Sequence, residues 1–389
     1  MILRFADCIL DTDRRSLSRG GAQVEVEPQV FELIQLLAEN ADRLVARDAI
    51  VEAVWGGRIV SESAISSRIA SARKAVGDDG RRQAVIRTVQ RRGLKMAVPV
   101  ASGAMPPPVT APSSVTVRYA TAGDGATLAL AFGGSGPPVI AVNNFMMDIE
   151  KEMQVDGLHE LYDAMMRQNS LLRFDQRGTG LSRCSPGPVD ISESAEDMRA
   201  VMDAAGLDRT AVFSLSCGAL TALTFAARHP ERVTRLVVMG GYVDGRVRRA
   251  GKTDPASDPI RGLIEEGWQD PHGVFMRAFA TAYFPEAPDE FARGLAAYFQ
   301  ENTSRENILA FRDMINLTSV EKCLARITCP VLVIHARHDR VHPLSEAQKM
   351  AAGIARAELL VLDSGNHIPL PVQPSWDTYL NATLAFLRD

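Results

Sequence analysis

One serine lies between small residues at the point where an apolar run passes into a helix-forming segment. The run Ala211–Leu215 leads through Ser214-Leu-Ser216-Cys-Gly218 into Thr221–Arg228. A strand, a sharp turn and a helix in this order form a nucleophile elbow, in which the turn exposes a serine hydroxyl. Small neighbours are needed because the turn strains the serine backbone. Ser216 is therefore the candidate nucleophile, with Ser214 at the position where the usual pattern has glycine.

A serine nucleophile needs a base that accepts its proton and an acid that orients the base. On a sheet of alternating strands and helices, the acid and then the histidine should follow the serine, each just after a strand. Asp339 follows the apolar run Val331–His335, and His367 follows Leu359–Leu362. The sequence therefore predicts a triad of Ser216, Asp339 and His367.

An oxyanion formed at this serine needs backbone N–H donors. The amide after the nucleophile, here that of Cys217, normally supplies one of them. The other should come from the loop after the predicted strand Val139–Val142, through the N–H of Phe145 or of Asn144. Cys217 could itself be a nucleophile, but its amide is the more useful group at this position.

Three histidines beside Asp339 raise the alternative of a metal site. His335, His338 and His342 occupy strand and loop positions that point in different directions. This arrangement disfavours a shared metal ion, and no metal or cofactor is expected. The five cysteines are scattered without the spacing of a disulfide framework or a metal site, which favours a reducing cytoplasm.

Residues 116–389 alternate strand-like and helix-like segments. This order predicts an α/β fold with a doubly wound, mostly parallel sheet. A helical, aromatic-bearing stretch interrupts the alternation over residues 242–326. The region resembles the α/β-hydrolase superfamily, in which an insertion at this place forms a lid. The resemblance implies an apolar substrate pocket over Ser216, lined by Phe145, Met146, Met147 and Trp268, that suits an acyl or aromatic carbonyl compound.

Residues 1–98 have a different composition. The chain of 389 residues carries a net charge of −4, yet residues 58–98 hold 10 basic and 3 acidic side chains. A small antiparallel sheet is predicted first. Three helices should follow, from Pro28, over Arg47–Trp55 and from about Ser61, and then a hairpin with a basic turn. A basic module ahead of an acidic remainder favours nucleic-acid binding.

This N-terminal order resembles the α+β winged helix-turn-helix DNA-binding domain of OmpR/PhoB-type regulators. The matching segments are Glu27-Pro28-x-x-Phe31-Glu32-Leu33, Glu52-Ala-Val-Trp55, Arg73-Lys74-Ala-Val-Gly77-Asp78-Asp79 and Ile86-Arg87-Thr88-Val89-x-Arg91-Arg92-Gly93. The resemblance implies that the third helix enters the major groove and that the hairpin wing reaches the minor groove. The residues then expected at double-stranded DNA are Arg68, Ser71, Arg73, Lys74, Thr88, Gln90, Arg91 and Arg92. Because the helix is rich in serine, direct reading of bases should be sparse.

A Pro/Ser/Ala-rich segment at 99–115 is expected to link the two parts in a semi-extended form. The chain shows no signal peptide and no apolar stretch of the length that spans a bilayer, so a cytoplasmic protein without membrane contact is expected.

The whole chain resembles bacterial proteins in which an OmpR-type winged helix is fused directly to an α/β-hydrolase. The first hypothesis is a one-component transcription regulator whose hydrolase part binds, and also cleaves, a small carbonyl ligand. The second is a serine esterase with an accessory winged helix, and the third is a receptor that holds its ligand without turnover. A homodimer is expected, because one small winged helix covers only a half-site.

Overall fold

The computed structural model describes residues 2–6, 8–12, 15–19, 22–41, 43–58, 60–89, 92–98, 100–103, 115–144, 146–183, 190–270 and 274–388. The chain divides into two units, Met1–Ala111 and Pro112–Asp389. Gln90, Arg91 and Phe145 lie outside the described residues, as does most of the predicted linker. No helix in the described ranges is long and apolar enough to cross a membrane.

The first unit combines three helices with two small sheets. Its elements are β1 (Ile2–Phe5), β2 (Cys8–Asp11), β3 (Ser16–Arg19), β4 (Ala22–Val24), α1 (Pro28–Glu39), β5 (Val45–Ala46), α2 (Arg47–Trp55), α3 (Glu62–Ala75), β6 (Ile86–Val89), β7 (Gly93–Met96) and β8 (Ala101–Gly103). One antiparallel sheet has the order β4-β3-β2-β1-β8, and the other has the order β5-β7-β6. Apolar faces of the helices and sheets share one core. This is the predicted winged-helix architecture, with β6 and β7 as the wing.

The helix boundaries follow from local chemistry. Proline at Pro28 suits a first helical turn, where no N–H partner is required. The hydroxyl of Ser61 accepts from the N–H of Ala64 and caps the start of α3. Strand β8 was not predicted: it lies in the segment assigned to the linker and pairs with β1, with Arg4 opposite Ala101. Backbone pairing of this kind leaves little trace in composition.

The loop after α3 is organised by one buried carboxylate. Asp78 accepts hydrogen bonds from the backbone N–H groups of Ala84, Val85 and Ile86, each at 2.9 Å, and from that of Asp79 at 2.8 Å. Burial raises the pKa of Asp78, but these four donors outweigh it and leave the pKa below its usual value. Asp78 therefore joins the end of α3 to the first strand of the wing.

The second unit is built on one eight-stranded sheet. Its strands are β9 (Val117–Thr121), β10 (Thr127–Gly133), β11 (Pro138–Val142), β12 (Ser170–Phe174), β13 (Thr210–Leu215), β14 (Val233–Met239), β15 (Val331–Ala336) and β16 (Ala357–Leu362). The order is β16-β15-β14-β13-β11-β12-β10-β9. Strands β11 to β16 are parallel, and β9 and β10 run antiparallel at one edge. The predicted doubly wound fold is confirmed.

Helices cover the sheet and form the insertion between β14 and β15. They are α4 (Leu158–Met166), α5 (Ile191–Ala204), α6 (Gly218–Arg228), α7 (Arg246–Arg249), α8 (Pro259–Gly267), α9 (Val274–Tyr283), α10 (Asp289–Asn302), α11 (Arg305–Leu317), α12 (Glu321–Leu324), α13 (Leu344–Gly353) and α14 (Trp376–Arg388). Helices α7 to α12 make up the predicted insertion at 242–326. The central strands are buried on both faces, as a sheet with helices on both sides requires. The carboxyl ends of β13, β15 and β16 consequently meet at one edge of the sheet.

Replacing Asp78 by alanine should loosen the α3–wing junction. Its backbone donors would lose their acceptor, at a cost on the order of 3 kcal/mol in the free energy of unfolding. Hydrogen exchange should speed up at residues 84–86, with exposed Asp79→Ala as the control. Because folding lowers the pKa of Asp78, this stabilisation is present above pH 3.8 and is lost as the pH falls below that value. Unchanged exchange in Asp78→Ala would contradict the assignment.

Candidate functional site

Ser216 lies at the turn between β13 and α6 with a left-handed backbone. Its φ is +53°, and in the described part of the second unit no other residue except glycine has a positive φ. The N–H of Ser216 donates to the carbonyl of Met239 at 2.8 Å, which ties the turn to β14. The helix begins so close to β11 that a Cβ at Gly218 would lie 2.2 Å from the carbonyl oxygen of Val142. A nucleophile elbow has this shape.

Asp339 and His367 are joined by a short hydrogen bond. The Nδ1 of His367 lies 2.6 Å from Oδ2 of Asp339, and Oδ1 accepts from the N–H groups of Val341 and His342 at 2.7 and 3.0 Å. Burial acts to raise the pKa of Asp339, but the His367 ring and these donors hold it well below its usual range. The carboxylate stays ionised, so Nδ1 of His367 carries the proton that it donates to Asp339, and in the neutral imidazole Nε2 would be the acceptor.

The histidine ring is held in place from two sides. A Cβ at Gly240 would lie 2.7 Å from Cε1 of His367, and the φ of Gly240 is +64°, so glycine alone fits there without strain. The N–H of His367 donates to the carbonyl of Tyr283 at 2.7 Å, and the Tyr283 ring meets the imidazole edge-on at 5.4 Å. Tyr283 ends α9, so the insertion itself positions His367. The glycine pair after β14 was visible in the sequence, but nothing there indicated Tyr283.

Ser216 and His367 line the same cavity. Nε2 of His367 is buried and has no hydrogen-bond partner among the described residues. Cys217 and Asn144, the predicted oxyanion-hole residues inside the described ranges, also line it. The arrangement can move a proton from a hydroxyl in this cavity to the imidazole.

A buried polar network fixes the segment that follows β11. The side chain of Asn143 donates to Glu152 at 2.7 Å and accepts from the hydroxyl of Tyr162 at 2.6 Å. Glu152 also accepts from Arg173 at 2.7 Å, and burial raises its pKa to about 7. The network lies next to Asn144, whose side chain accepts from the N–H of Met146 at 2.8 Å. These bonds set the course of the backbone along the cavity.

The cavity wall is mainly apolar. Met146 and Met147 line it, as the sequence predicted, and aromatic side chains of the insertion complete it: Phe279, Tyr283, Phe284, Phe291 and Phe299. Trp268 does not line the cavity, which corrects the prediction. It follows α8 and is buried among apolar residues of the insertion such as Ile264 and Met276, because the apolar face of α8 packs into the core.

The predicted DNA-contacting residues separate into exposed and internal groups. Lys74 and Arg92 are exposed, and Ser71 is half-buried. The structure corrects the prediction that Arg73 contacts DNA. Its side chain is buried, and it donates to the carbonyl of Ile86 at 3.0 Å and to the hydroxyl of Thr88 at 2.8 Å. Both Arg73 and Thr88 therefore join α3 to the wing.

The side chain of Arg68 also contacts other residues of the same domain. It forms an ion pair with Glu27 at 2.5 Å and donates to Gln29 at 3.1 Å. The exposed face of α3 instead carries Ser63, Ser66, Ser67, Ala70 and Lys74. Within residues 58–98, the described arginines that are exposed and outside the predicted set are Arg58, Arg81, Arg82 and Arg87, which the basic excess had indicated only as a group.

The histidines beside Asp339 have separate environments. His335 is buried and donates through Nε2 to the carbonyl of His342 at 2.8 Å, and burial lowers the pKa of both rings. His338 is exposed near Asp363. Among the described residues, no group of three or more His, Cys, Asp or Glu side chains is arranged to hold a metal ion.

Comparison with known proteins finds relatives of both units. The family described as "alpha/beta hydrolase fold" matches residues 161–374, which is more than half of the chain, and the family described as "Transcriptional regulatory protein, C terminal" matches residues 21–96. A putative carbamate hydrolase RutD of Caulobacter sp. (strain K31) is 27% identical over 207 residues, which cover 52% of this chain and 76% of that protein.

A 2-hydroxy-6-oxononadienedioate/2-hydroxy-6-oxononatrienedioate hydrolase of Paraburkholderia xenovorans (strain LB400) is 26% identical, covering 65% of this chain and 84% of that protein. The solved structure of an enol-lactonase from Burkholderia xenovorans LB400 matches with a TM-score of 0.54 at 22% identity, covering 70% of this chain and 100% of that one. At this identity the structural likeness supports the fold. The chain belongs to the alpha/beta hydrolase fold family and carries, ahead of that fold, the C-terminal domain of transcriptional regulatory proteins.

Proposed function

We propose that this protein is a one-component transcription regulator whose hydrolase unit binds and hydrolyses a small apolar carbonyl compound. The observation that carries the proposal is the hydrogen-bonded pair of Asp339 and His367, whose free Nε2 shares a cavity with the left-handed Ser216. The same chain carries a transcription-regulator domain with an exposed basic surface. In this proposal, ligand occupancy of the hydrolase unit changes the affinity of a homodimer for DNA.

The chemistry follows from the protonation state of the pair. Oγ of Ser216 attacks the carbonyl carbon while Nε2 of His367 accepts the hydroxyl proton, and the carbonyl electrons move to oxygen. The backbone N–H groups of Cys217 and of Phe145 or Asn144 are proposed to stabilise this oxyanion. Collapse expels the alcohol or amine, which takes the proton from His367. Water then attacks the acyl-enzyme while His367 accepts its proton. Release of the product acid returns that proton to Oγ and regenerates Ser216.

Cavity shape and the relatives support a small carbonyl substrate. The enclosed volume is about 70 Å³, well below the roughly 300–1,000 Å³ of pockets for drug-sized ligands. This space suits a short acyl group. The relatives are named for a carbamate, a keto acid and an enol-lactone, which are all carbonyl compounds. An ester, lactone or carbamate is the proposed class.

Contacts with DNA are proposed to rest on phosphates more than on base edges. The exposed side chains of α3 are mostly serine and alanine, which carry little sequence information, whereas Lys74, Arg81, Arg87 and Arg92 can neutralise phosphates. Specificity would then depend on few base contacts and on the shape of the duplex.

Labelling by a fluorophosphonate tests the nucleophile. Wild-type protein should be labelled, and Ser216→Ala should not, because the reagent reacts with a hydroxyl activated by histidine. Ser214→Ala is the matched control: Ser214 is buried, its hydroxyl donates to the carbonyl of Val237 at 3.1 Å, and labelling should persist. Asp339→Asn should slow ester turnover by roughly 10⁴-fold through loss of the correct tautomer. An unlabelled wild type would remove hydrolysis from the proposal.

Gly240→Ala tests whether the close approach to His367 matters. The added Cβ should push the imidazole away from Ser216, and a misplacement of about 1 Å can cost roughly 10²-fold in rate. Gly262→Ala is the control, because a Cβ there meets nothing within 4 Å and Gly262 lies within α8. Rates of ester hydrolysis and of labelling should both fall in Gly240→Ala while its circular dichroism remains native. An unchanged rate would refute the positioning role.

Salt dependence tests the basic surface. Removing a phosphate contact with Lys74→Ala or Arg92→Ala should weaken binding to duplex DNA and lower the slope of log K against log salt by about 0.9 per contact. Arg326→Ala, exposed on the hydrolase unit, should leave both unchanged. Fluorophosphonate-treated protein should then show an altered DNA affinity relative to untreated Ser216→Ala. Identical affinities would favour a hydrolase with an accessory DNA-binding unit.

A further inference from the structure

Two arginines lie in the wall of the mainly apolar cavity, Arg246 of α7 and Arg312 of α11. Arg312 donates at 3.2 Å to the hydroxyl of Tyr283, the residue whose backbone holds His367. Arg246 donates at 3.2 Å to the carbonyl of Val341, in the loop that starts at Asp339. Both guanidinium groups therefore border the end of the cavity where the acid–base pair lies.

A single carboxylate, Asp258, faces both arginines. Its Oδ2 lies 2.7 Å from Nε of Arg312 and 2.7 Å from Nδ2 of Asn316, so that oxygen is well occupied. Its other oxygen lies 4.0 Å from Nε of Arg246, too far for a hydrogen bond. That Nε is buried and has no hydrogen-bond partner among the described residues. Asp258 thus neutralises Arg312 and leaves Arg246 incompletely paired.

The other charges near Arg246 are of both signs, and its Nε has no hydrogen-bond partner among the described residues. Among the described residues that line the cavity, only Asp156 is acidic, and it is exposed. Arg249, on the same helix as Arg246, adds a positive charge nearby, and the carboxylates of Glu346 and Asp244 lie close to Arg249. The Arg246 side chain is 27% exposed, but its Nε is buried, and a buried donor without an acceptor is costly unless an anion completes its hydrogen bonds. An apolar wall with such a group at one point fits a ligand that is apolar along its length and anionic at one end.

We infer that the ligand carries a free carboxylate in addition to its reactive carbonyl, and that Arg246 binds this carboxylate. The inference rests on the proposed function, because it places the carboxylate in the cavity that contains Ser216. A planar guanidinium matches a carboxylate with two parallel hydrogen bonds, which a neutral ester or amide cannot reproduce. The substrate class is therefore an anionic half-ester or a lactone acid.

Matched substrates test the inference. Mono-4-nitrophenyl esters of succinic, glutaric and adipic acid carry the carboxylate at three distances, and the corresponding primary amides are neutral and nearly isosteric. Wild-type protein should hydrolyse at least one acid with kcat/KM about tenfold or more above its amide. Arg246→Gln should abolish this preference, and Arg246→Lys should restore part of it. Arg248→Gln, whose side chain is largely exposed on the same helix, should keep the preference.

The outcomes separate this inference from the proposed function. Hydrolysis of acids and amides at equal rates throughout the series would overturn the carboxylate site and leave the serine hydrolase intact. If no ester is hydrolysed and no fluorophosphonate reacts, the proposed hydrolysis is refuted, and the carboxylate site is then tested by ligand binding. Glutarate should then raise the melting temperature of wild type and Arg248→Gln but not of Arg246→Gln. Equal shifts, or none, in all three proteins would refute the role of Arg246.

Discussion

The left-handed backbone of Ser216 is the constraint on which the hydrolase unit depends. A side-chain-bearing residue holds this conformation only where its surroundings enforce it. Here the N–H bond to Met239 and the close approach of Gly218 to Val142 do so, and both require β13 to lie between β11 and β14. The central position of β13 in the sheet therefore also places the Ser216 residue at the cavity beyond its end.

The position of His367 depends on the same strands and also on the insertion. Gly240, at the end of β14, and Tyr283, at the end of α9, confine the His367 ring from different sides. Movement of α9 would therefore displace the base and also change the walls of the cavity. Tyr283 therefore contacts both His367 and the cavity, and Arg312 connects Tyr283 to Asp258 at the start of α8.

The winged-helix unit relies on buried charge for a different purpose. Arg73 and Asp78 both lie at the end of α3 and bind the backbone of β6, so the angle between helix and wing is set by hydrogen bonds to the main chain. Arginines that satisfy such internal acceptors are not available to phosphates. The exposed positive charge lies instead on the α3–β6 loop and the wing, beside a helix face of small residues. This distribution favours contacts that position the domain over contacts that read bases.

The sequence by itself determined the two folds, most of the helices and strands that build them, and the order Ser, Asp, His, because periodicity and turn residues are local properties; strand β8, which pairs with β1, was missed. It also placed Met146 and Met147 at the cavity. Only the tertiary structure decided that Arg73 is internal, that Trp268 belongs to the core, and that Arg246 reaches the cavity. An exposed arginine and a buried one have the same chemistry in a sequence, and the partners that distinguish them lie on other elements of the fold.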